Sequence, residues 1–393
     1  MEALLFSRKP TRYAAAAVAS KLQKGAGITW APLHFDENTE PPSLPKQDGW
    51  QRLYPRLSGI CGSDLATIDG RSSLYFEDFV SFPFTPGHEI VADTSDGRRV
   101  VVESVLGHAA RGYEMPHPDA APGDGHDYRH LVGGHLKPGL QTGSCASTGG
   151  GWATELVAHE SQLHEVPAEI TDEQAVMVEP LACGVHAALK SNVGPEDTVV
   201  VIGAGTMGLT TVAALRHVVE PEPKHIFVGC RYPTQQAFST KLGADMAVNS
   251  TELKRAVRRT SGSFMIGRYL SGGADVVIDT VGSESSLAEA MTICRPRGRI
   301  VLLGMPSTVT MTLTGLWHRE IELVGCYAYG TETLPNNTHT TSFEIAIPLA
   351  KKLQLDHLVT ALYPLHRYKD AIRHAAEAGQ RGAVKIVFDM RAN

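Results

Sequence analysis

The sequence predicts an α/β protein of two domains, one irregular and β-rich, the other a doubly wound parallel sheet. Three observations predict this. The chain has 393 residues, long for one average domain. Its character changes near residue 195, from short β-like runs between Gly/Pro/Asp-rich loops to a regular alternation of strand and helix. The strand-like runs of that second part are continuous Val/Ile stretches ending in Gly, the mark of strands covered on both faces.

In chain order, "WQRLYPRL", "RRVVVESVL" and "ATELVAHE" read as strands of the first domain. Then "DTVVVIGAG", "HIFVGC", "ADVVIDTVG" and "GRIVLLGM" read as buried strands. Between them "TMGLTTVAALRHVV", "TQQAFSTKLGA" and "SSLAEAMTIC" read as helices. After about residue 330 the pattern is mixed: "FEIAIPLAKKL" and "YKDAIRHAAEAG" are amphipathic and precede a last strand, "AVKIVFDM". The simplest division sets a doubly wound domain at 186–331 into a β-rich domain at 1–185 and 332–393.

Composition narrows the function. At 42% hydrophobic and 20% charged, the chain has the make-up of a soluble globular protein. A net charge of −6, with no Lys/Arg run, argues against nucleic acid or an anionic membrane as partner. No apolar stretch approaches the ~20 residues a bilayer span needs. The run "YAAAAVAS" is short, Ala-rich and followed at once by Lys21 and Lys24, unlike a signal peptide. The six cysteines are scattered without a CxxC pair, as in a reduced, cytoplasmic protein.

"VVVIGAGTMGLTTVAAL" places Gly203, Gly205 and Gly208 as G-x-G-x-x-G between a buried strand and an amphipathic helix. That context makes it a dinucleotide site: a tight turn, a close approach of backbone to pyrophosphate, and a helix N-terminus aimed at the phosphates. Thr206 and Met207 within the motif, and Gly282 and Gly304 at the ends of later strands, join the candidate cofactor residues. The second strand ends in Gly229, Cys230, Arg231 and Tyr232, with no carboxylate to hold ribose hydroxyls and a guanidinium directly after. The expectation is NADP(H) in preference to NAD(H).

Three further stretches hold the candidate chemistry: "SGICGSDLATIDG" with Cys61, Ser63 and Asp64, "FPFTPGHEIVA" with His88 and Glu89, and "MVEPLACGVHAAL" with Glu179. Cys, His and Glu are all competent zinc ligands, and three protein ligands plus an open position is the catalytic arrangement. A thiolate and a carboxylate also balance Zn²⁺. In this order, followed by GxGxxG, the set resembles the zinc-dependent medium-chain dehydrogenase/reductase family of alcohol, polyol and threonine dehydrogenases, over roughly residues 45–390.

The resemblance implies a GroES-like catalytic domain beside a Rossmann domain, one catalytic Zn²⁺ per chain, and hydride transfer between the cofactor and an alcohol or carbonyl compound. A secondary alcohol or polyol-like substrate and a homodimer or homotetramer are also implied. It makes Cys61, His88 and Glu179 the zinc ligands and Glu89 an acidic neighbour able to coordinate. Ser63 becomes the hydroxyl that takes the substrate proton, Asp64 the carboxylate that orients His88, and Lys385 a contact to the cofactor pyrophosphate. Three positions depart from the family: Ala66 stands where many members have a proton-relaying His, and Cys183 where many have Thr. No Cys lies between residues 62 and 144, where a structural-zinc lobe would have four. A single zinc is therefore expected, and a second would point to His117, Asp119, His126 and His130. A zinc-free quinone or enoyl reductase has no reason to keep Cys61, His88 and Glu179 together. A non-enzymatic nucleotide-binding protein would be separated by metal analysis and cofactor titration.

Overall fold

The computed structural model describes residues 1–118, 120–334 and 336–391. The chain divides into Met1–Glu179 with His339–Asn393, and Pro180–Thr338. The seams thus fall at Glu179/Pro180 and Thr338/His339, against 185/186 and 331/332 expected, because the helix Val178–Lys190 goes almost whole with the second unit.

In the first unit a seven-stranded sheet runs Val359–Tyr363, Lys385–Asp389, Trp50–Gly59, Ile90–Thr94, Arg99–Val102, Leu163–Glu165. Leu156–His159 also pairs with Trp50–Gly59. Every pairing is antiparallel except that of the first two strands. Leu53, Ile90, Val100 and Leu156 bury one core, and Leu4, Phe6, Trp152 and Phe388 another. The N-terminal part was not foreseen: Ala3–Phe6 pairs with Leu33–Asp36, and the Ala-rich run between them is a helix, Pro10–Leu22. Proline pre-sets its first turn, and Ala16 is the residue small enough to be fully buried against the core. Trp152 is fully buried and ties two later-important segments together. Its indole N–H donates to the Gly59 carbonyl at 3.1 Å, while the neighbouring Gly151 N–H donates to Gly87 at 2.9 Å.

The second unit is the expected doubly wound domain. Its six-stranded sheet is parallel throughout, in the order Met246–Asn249, His225–Cys230, Thr198–Ile202, Ala274–Asp279, Cys294–Leu302, Glu322–Gly325. Numbered within the unit this is 3-2-1-4-5-6, the Rossmann order. The Val/Ile runs supply fully buried strands, with Thr198–Ile202 buried at every position. The helices Thr206–His217, Pro233–Lys241, Ser250–Thr260 and Glu284–Ile293 pack on them. Among the described residues no helix is long and apolar enough to cross a membrane.

Candidate active site

The strand Trp50–Gly59 leads into Cys61, which caps the helix Gly62–Ile68. The cap is reciprocal: the Cys61 N–H donates to the Asp64 carboxylate at 2.9 Å, and the Asp64 N–H faces the Cys61 sulfur. The "C-G-S-D" spacing is thus a capping box in which the capping atom is a sulfur. His88 comes from the loop before Ile90–Thr94, its carbonyl held by the Ser104 hydroxyl. His88 Nδ1 lies 3.6 Å from Asp64 Oδ1, and Nε2 lies 3.4 Å from Ser63 Oγ. Glu179 stands in the first turn of Val178–Lys190. Asp64, His88, Glu89 and Glu179 are buried, whereas Cys61 and Ser63 keep partial access to solvent.

The electrostatics are those of a pocket with more acid than base. Burial pushes Asp64 up, opposed by His88 and the Cys61 N–H. Burial likewise raises Glu179 to about 7, although His88 and Lys385 pull it back. Burial alone would lower His88, yet Asp64, Cys61 and Glu179 outweigh it and hold the imidazole well above its usual range. Among the described residues no three His, Cys, Asp or Glu side chains stand close enough together to hold a metal ion. The donor chemistry nevertheless suits a divalent cation. Cys61, Asp64, Glu89 and Glu179 supply four acidic groups against Lys385 and one imidazole, so the cluster favours added positive charge.

One expectation needs correction. Lys385 does not offer itself to a pyrophosphate: it is 1% exposed, and its ammonium donates to Glu89 Oε1 and Oε2 at 2.6 and 2.7 Å. In this structure Glu89 is the partner of that ion pair, engaged through both oxygens. A lysine between apolar residues in "AVKIVF" was the available signal, since buried lysines are almost always paired. Sequence reasoning also passed over Gly59, where an added Cβ would fall 1.7 Å from Glu89 Oε2.

In the second unit, Gly203 has φ +98°, and a Cβ on Gly208 would fall 2.0 Å from the Gly203 carbonyl. Gly205 faces open space and caps Thr206–His217 without any side-chain bond, leaving its first N–H groups available to a ligand. Thr206 and Met207 are half-buried in that first turn. Cys230 turns inward, its sulfur 3.6 Å from Ser239 Oγ, so only its backbone belongs to the strand end. Arg231 is exposed; its N–H and that of Tyr232 donate to Gln235 Oε1 at 3.0 and 3.2 Å. Gly282 and Gly304 pack backbone to backbone. The buried Asp279 fixes this turn, accepting from Val281 N, Gly282 N and Ser286 Oγ at 2.9, 3.1 and 2.8 Å. An Asp closing the apolar run "VVID" was a signal the sequence reading did not use.

The histidines of the long loop are spread out. His117 lies 3.8 Å from Asp124, whereas His130 lies against His108 with ring centroids 3.9 Å apart and planes tilted by 31°. Burial, then His108, lowers His130 to about 4. Asp119 lies outside the described residues.

Comparison with known proteins agrees with this architecture. Residues 224–343 match the family model of the zinc-binding dehydrogenases. L-idonate 5-dehydrogenase of Vitis vinifera is 26% identical over 378 residues, covering 89% of this chain and 90% of that protein. Sorbitol dehydrogenase of Arabidopsis thaliana is 26% identical over 368 residues, covering 86% and 88%. The fold is shared with 2R,3R-butanediol dehydrogenase of Bacillus subtilis, at a TM-score of 0.67, 21% identity, and coverage of 91% of this chain and 96% of that one. A zinc-binding-dehydrogenase match, dehydrogenase relatives aligned along most of both lengths, and a sheet order that binds dinucleotides lead to one conclusion. Over residues 224–343 the chain is similar to the zinc-binding dehydrogenases and along most of its length to polyol dehydrogenases, and it is an oxidoreductase of the alcohol-dehydrogenase type.

Proposed function

We propose that this enzyme transfers hydride between NADP(H) and a secondary alcohol or polyol-like compound, and that it uses one zinc ion. The observation that carries this is the partly exposed Cys61 with the buried His88 and Glu179, close enough to act on one another electrostatically, beside the half-exposed Ser63. When bound, zinc supplies Lewis-acid polarisation of the substrate oxygen, and the nicotinamide supplies the hydride exchange. The rest falls to the chain's own groups. Cys61, His88 and Glu179 would hold the ion. Asp64, 3.6 Å from His88 Nδ1 and bonded to the Cys61 N–H, fixes the orientation of two of those ligands at once. Ser63 Oγ takes the proton from the substrate hydroxyl, or returns it in reduction, its reach to His88 Nε2 marking how near it stands to the ligand set.

In the other unit the uncapped start of Thr206–His217 receives the pyrophosphate, and the exposed Arg231 receives the 2′-phosphate. The relatives' names, an idonate and a sorbitol dehydrogenase, support a polyol-like substrate. A homodimer or homotetramer in the cytoplasm is proposed with it.

The test pairs elemental analysis with a turnover screen of alcohols, polyols and amino alcohols. One zinc equivalent per chain and turnover of a secondary alcohol are expected. Cys61→Ala should lose zinc and at least about 100-fold in kcat/KM, more than a supporting residue costs, while still binding nucleotide. Full activity in metal-free protein would defeat the reading.

A further inference from the structure

We propose that the hairpin at residues 264–271 and the basic helix before it form a docking surface for an anionic lipid membrane, at the end of the second unit opposite the nucleotide fingerprint.

Between Glu252 and Asp275 the chain holds Lys254, Arg255, Arg258, Arg259 and Arg268, and no carboxylate. The net charge of −6 hides this asymmetry, and so speaks against a membrane only for the molecule as a whole. In the helix Ser250–Thr260, Leu253 and Val257 are buried, which leaves Arg255 and Arg259 turned to solvent. Arg258 and Arg259 stand in the last turn, where they suit the helix dipole; Arg255 and Arg268 do not. Among the described residues none of these four guanidinium groups has a carboxylate partner, and Arg268 lies over the Tyr269 ring at 5.6 Å.

Met265–Ile266 pairs with Tyr269–Leu270 around a two-residue turn, with Gly267 at φ +58°. The base of this hairpin is fixed. The buried Arg319 donates to the carbonyls of Leu270, Gly272 and Cys294 at 2.8, 3.3 and 2.6 Å, and a Cβ on Gly315 would fall 2.7 Å from the Tyr269 hydroxyl. The tip is bare. Phe264 is 65% exposed, Met265 39% and Ile266 58%, and a Cβ on Gly262 or Gly267 would meet nothing within 4 Å. Exposed apolar residues in a row are unusual on a protein surface unless something covers them. The hairpin precedes the strand Ala274–Asp279, whose far end pairs beside Ile202, next to Gly203, so patch and fingerprint occupy opposite ends of the parallel sheet.

Shape and charge together select the occupant. A nucleic acid would use the cations but leave Phe264 and Ile266 uncovered. A bilayer uses both: the apolar tip enters the interface while the guanidinium groups lie at the level of anionic headgroups.

The test is co-sedimentation of the full-length protein with vesicles of phosphatidylcholine alone, or of phosphatidylcholine with phosphatidylserine, at low and high salt. Binding to the mixed vesicles, absent from the neutral ones and weakened by salt, is expected. Each cation near such a surface contributes about fivefold in affinity, so R259Q/R268Q should bind about 25-fold more weakly. F264S/I266S should lose at least about tenfold. Both variants change exposed residues and should keep the wild-type unfolding transition, which separates lost docking from lost fold. Failure of the wild type to bind the mixed vesicles would overturn the proposal, as would binding that both variants retain. Duplex DNA bound in place of the vesicles would overturn it in favour of a nucleic-acid site. A smaller mass for F264S/I266S in sedimentation velocity would overturn it in favour of a contact between copies of the chain.

Discussion

At Arg231 a single side chain is expected to decide the cofactor. The strand ends on Cys230, whose sulfur is committed inward to Ser239, so no group at that position accepts from ribose hydroxyls. The Arg231 backbone is anchored through Gln235, while its guanidinium has no protein partner among the described residues and is exposed. A forked, permanently charged donor in that place suits a 2′-phosphate better than a hydroxyl. A charge-assisted contact is worth roughly 1.5–3 kcal/mol, or about 10- to 150-fold in affinity. Arg231→Ala should therefore weaken NADP(H) by that factor in kcat/KM and leave NAD(H) nearly unchanged. Equal use of both cofactors by the unmutated enzyme would count against the assignment. Residues of this kind were legible in the sequence because their meaning lies in near neighbours: Cys61 with Asp64, Gly203 with Gly208. The true partner of Lys385 was not, because Glu89 lies 296 positions away and only the sheet brings the two together.

At the scale of elements, the loop around the short helix Arg129–Val132 shows how a lobe is ordered where the resemblance would place four cysteines. Arg111, 1% exposed, donates to the carbonyls of Gly133, Lys137 and Gly139 at 3.0, 3.2 and 2.6 Å. Cys145 lies beside it, its thiol 3.4 Å from the same Lys137 carbonyl. Burial lowers the guanidinium, opposed first by Cys145. A cation gathering three carbonyls does by hydrogen bonding what a metal does by coordination: it cross-links one turn to a distant loop. Arg111→Met would keep most of the volume but remove all three contacts and leave the buried Gly139 carbonyl without its donor, costing about 1–3 kcal/mol. The expected result is lost hydrogen-exchange protection across residues 129–145, with zinc content still at one equivalent. Retained protection in the variant would show that packing alone orders the lobe. Nothing in the sequence singled out Arg111, since an arginine in a Gly/Pro-rich stretch reads as solvated until its burial is seen. The strands and helices of the second unit were legible for the opposite reason. Their Val/Ile runs and 3.6-residue periodicity record burial directly, whereas the Ala-rich helix Pro10–Leu22 has too few large residues to do so.

Across the whole molecule, the candidate metal and cofactor residues segregate. Cys61, His88, Glu89, Glu179 and Lys385 all lie in Met1–Glu179 with His339–Asn393, and Gly203 to Tyr232 all lie in Pro180–Thr338. Metal linkage should therefore act on one unit and nucleotide linkage on the other. A ligand at 100 times its Kd stabilises whatever binds it by about 2.7 kcal/mol, and for a unit of this size each kcal/mol moves Tm by about 2–4 °C. Stripping zinc with a chelator should thus lower the first unit's transition by roughly 5–10 °C. Hydrogen exchange should speed up in the strands Trp50–Gly59 and Ile90–Thr94 but not in Thr198–Ile202 or His225–Cys230. NADPH added to the stripped protein should still protect those last two strands, because no residue of the fingerprint depends on the metal. The measurement is peptide-resolved exchange on one sample carried through chelation, nucleotide addition and zinc return. Loss of nucleotide protection on chelation would show that the two sites are coupled, and the assignment of separate ligand sets to separate units would fail.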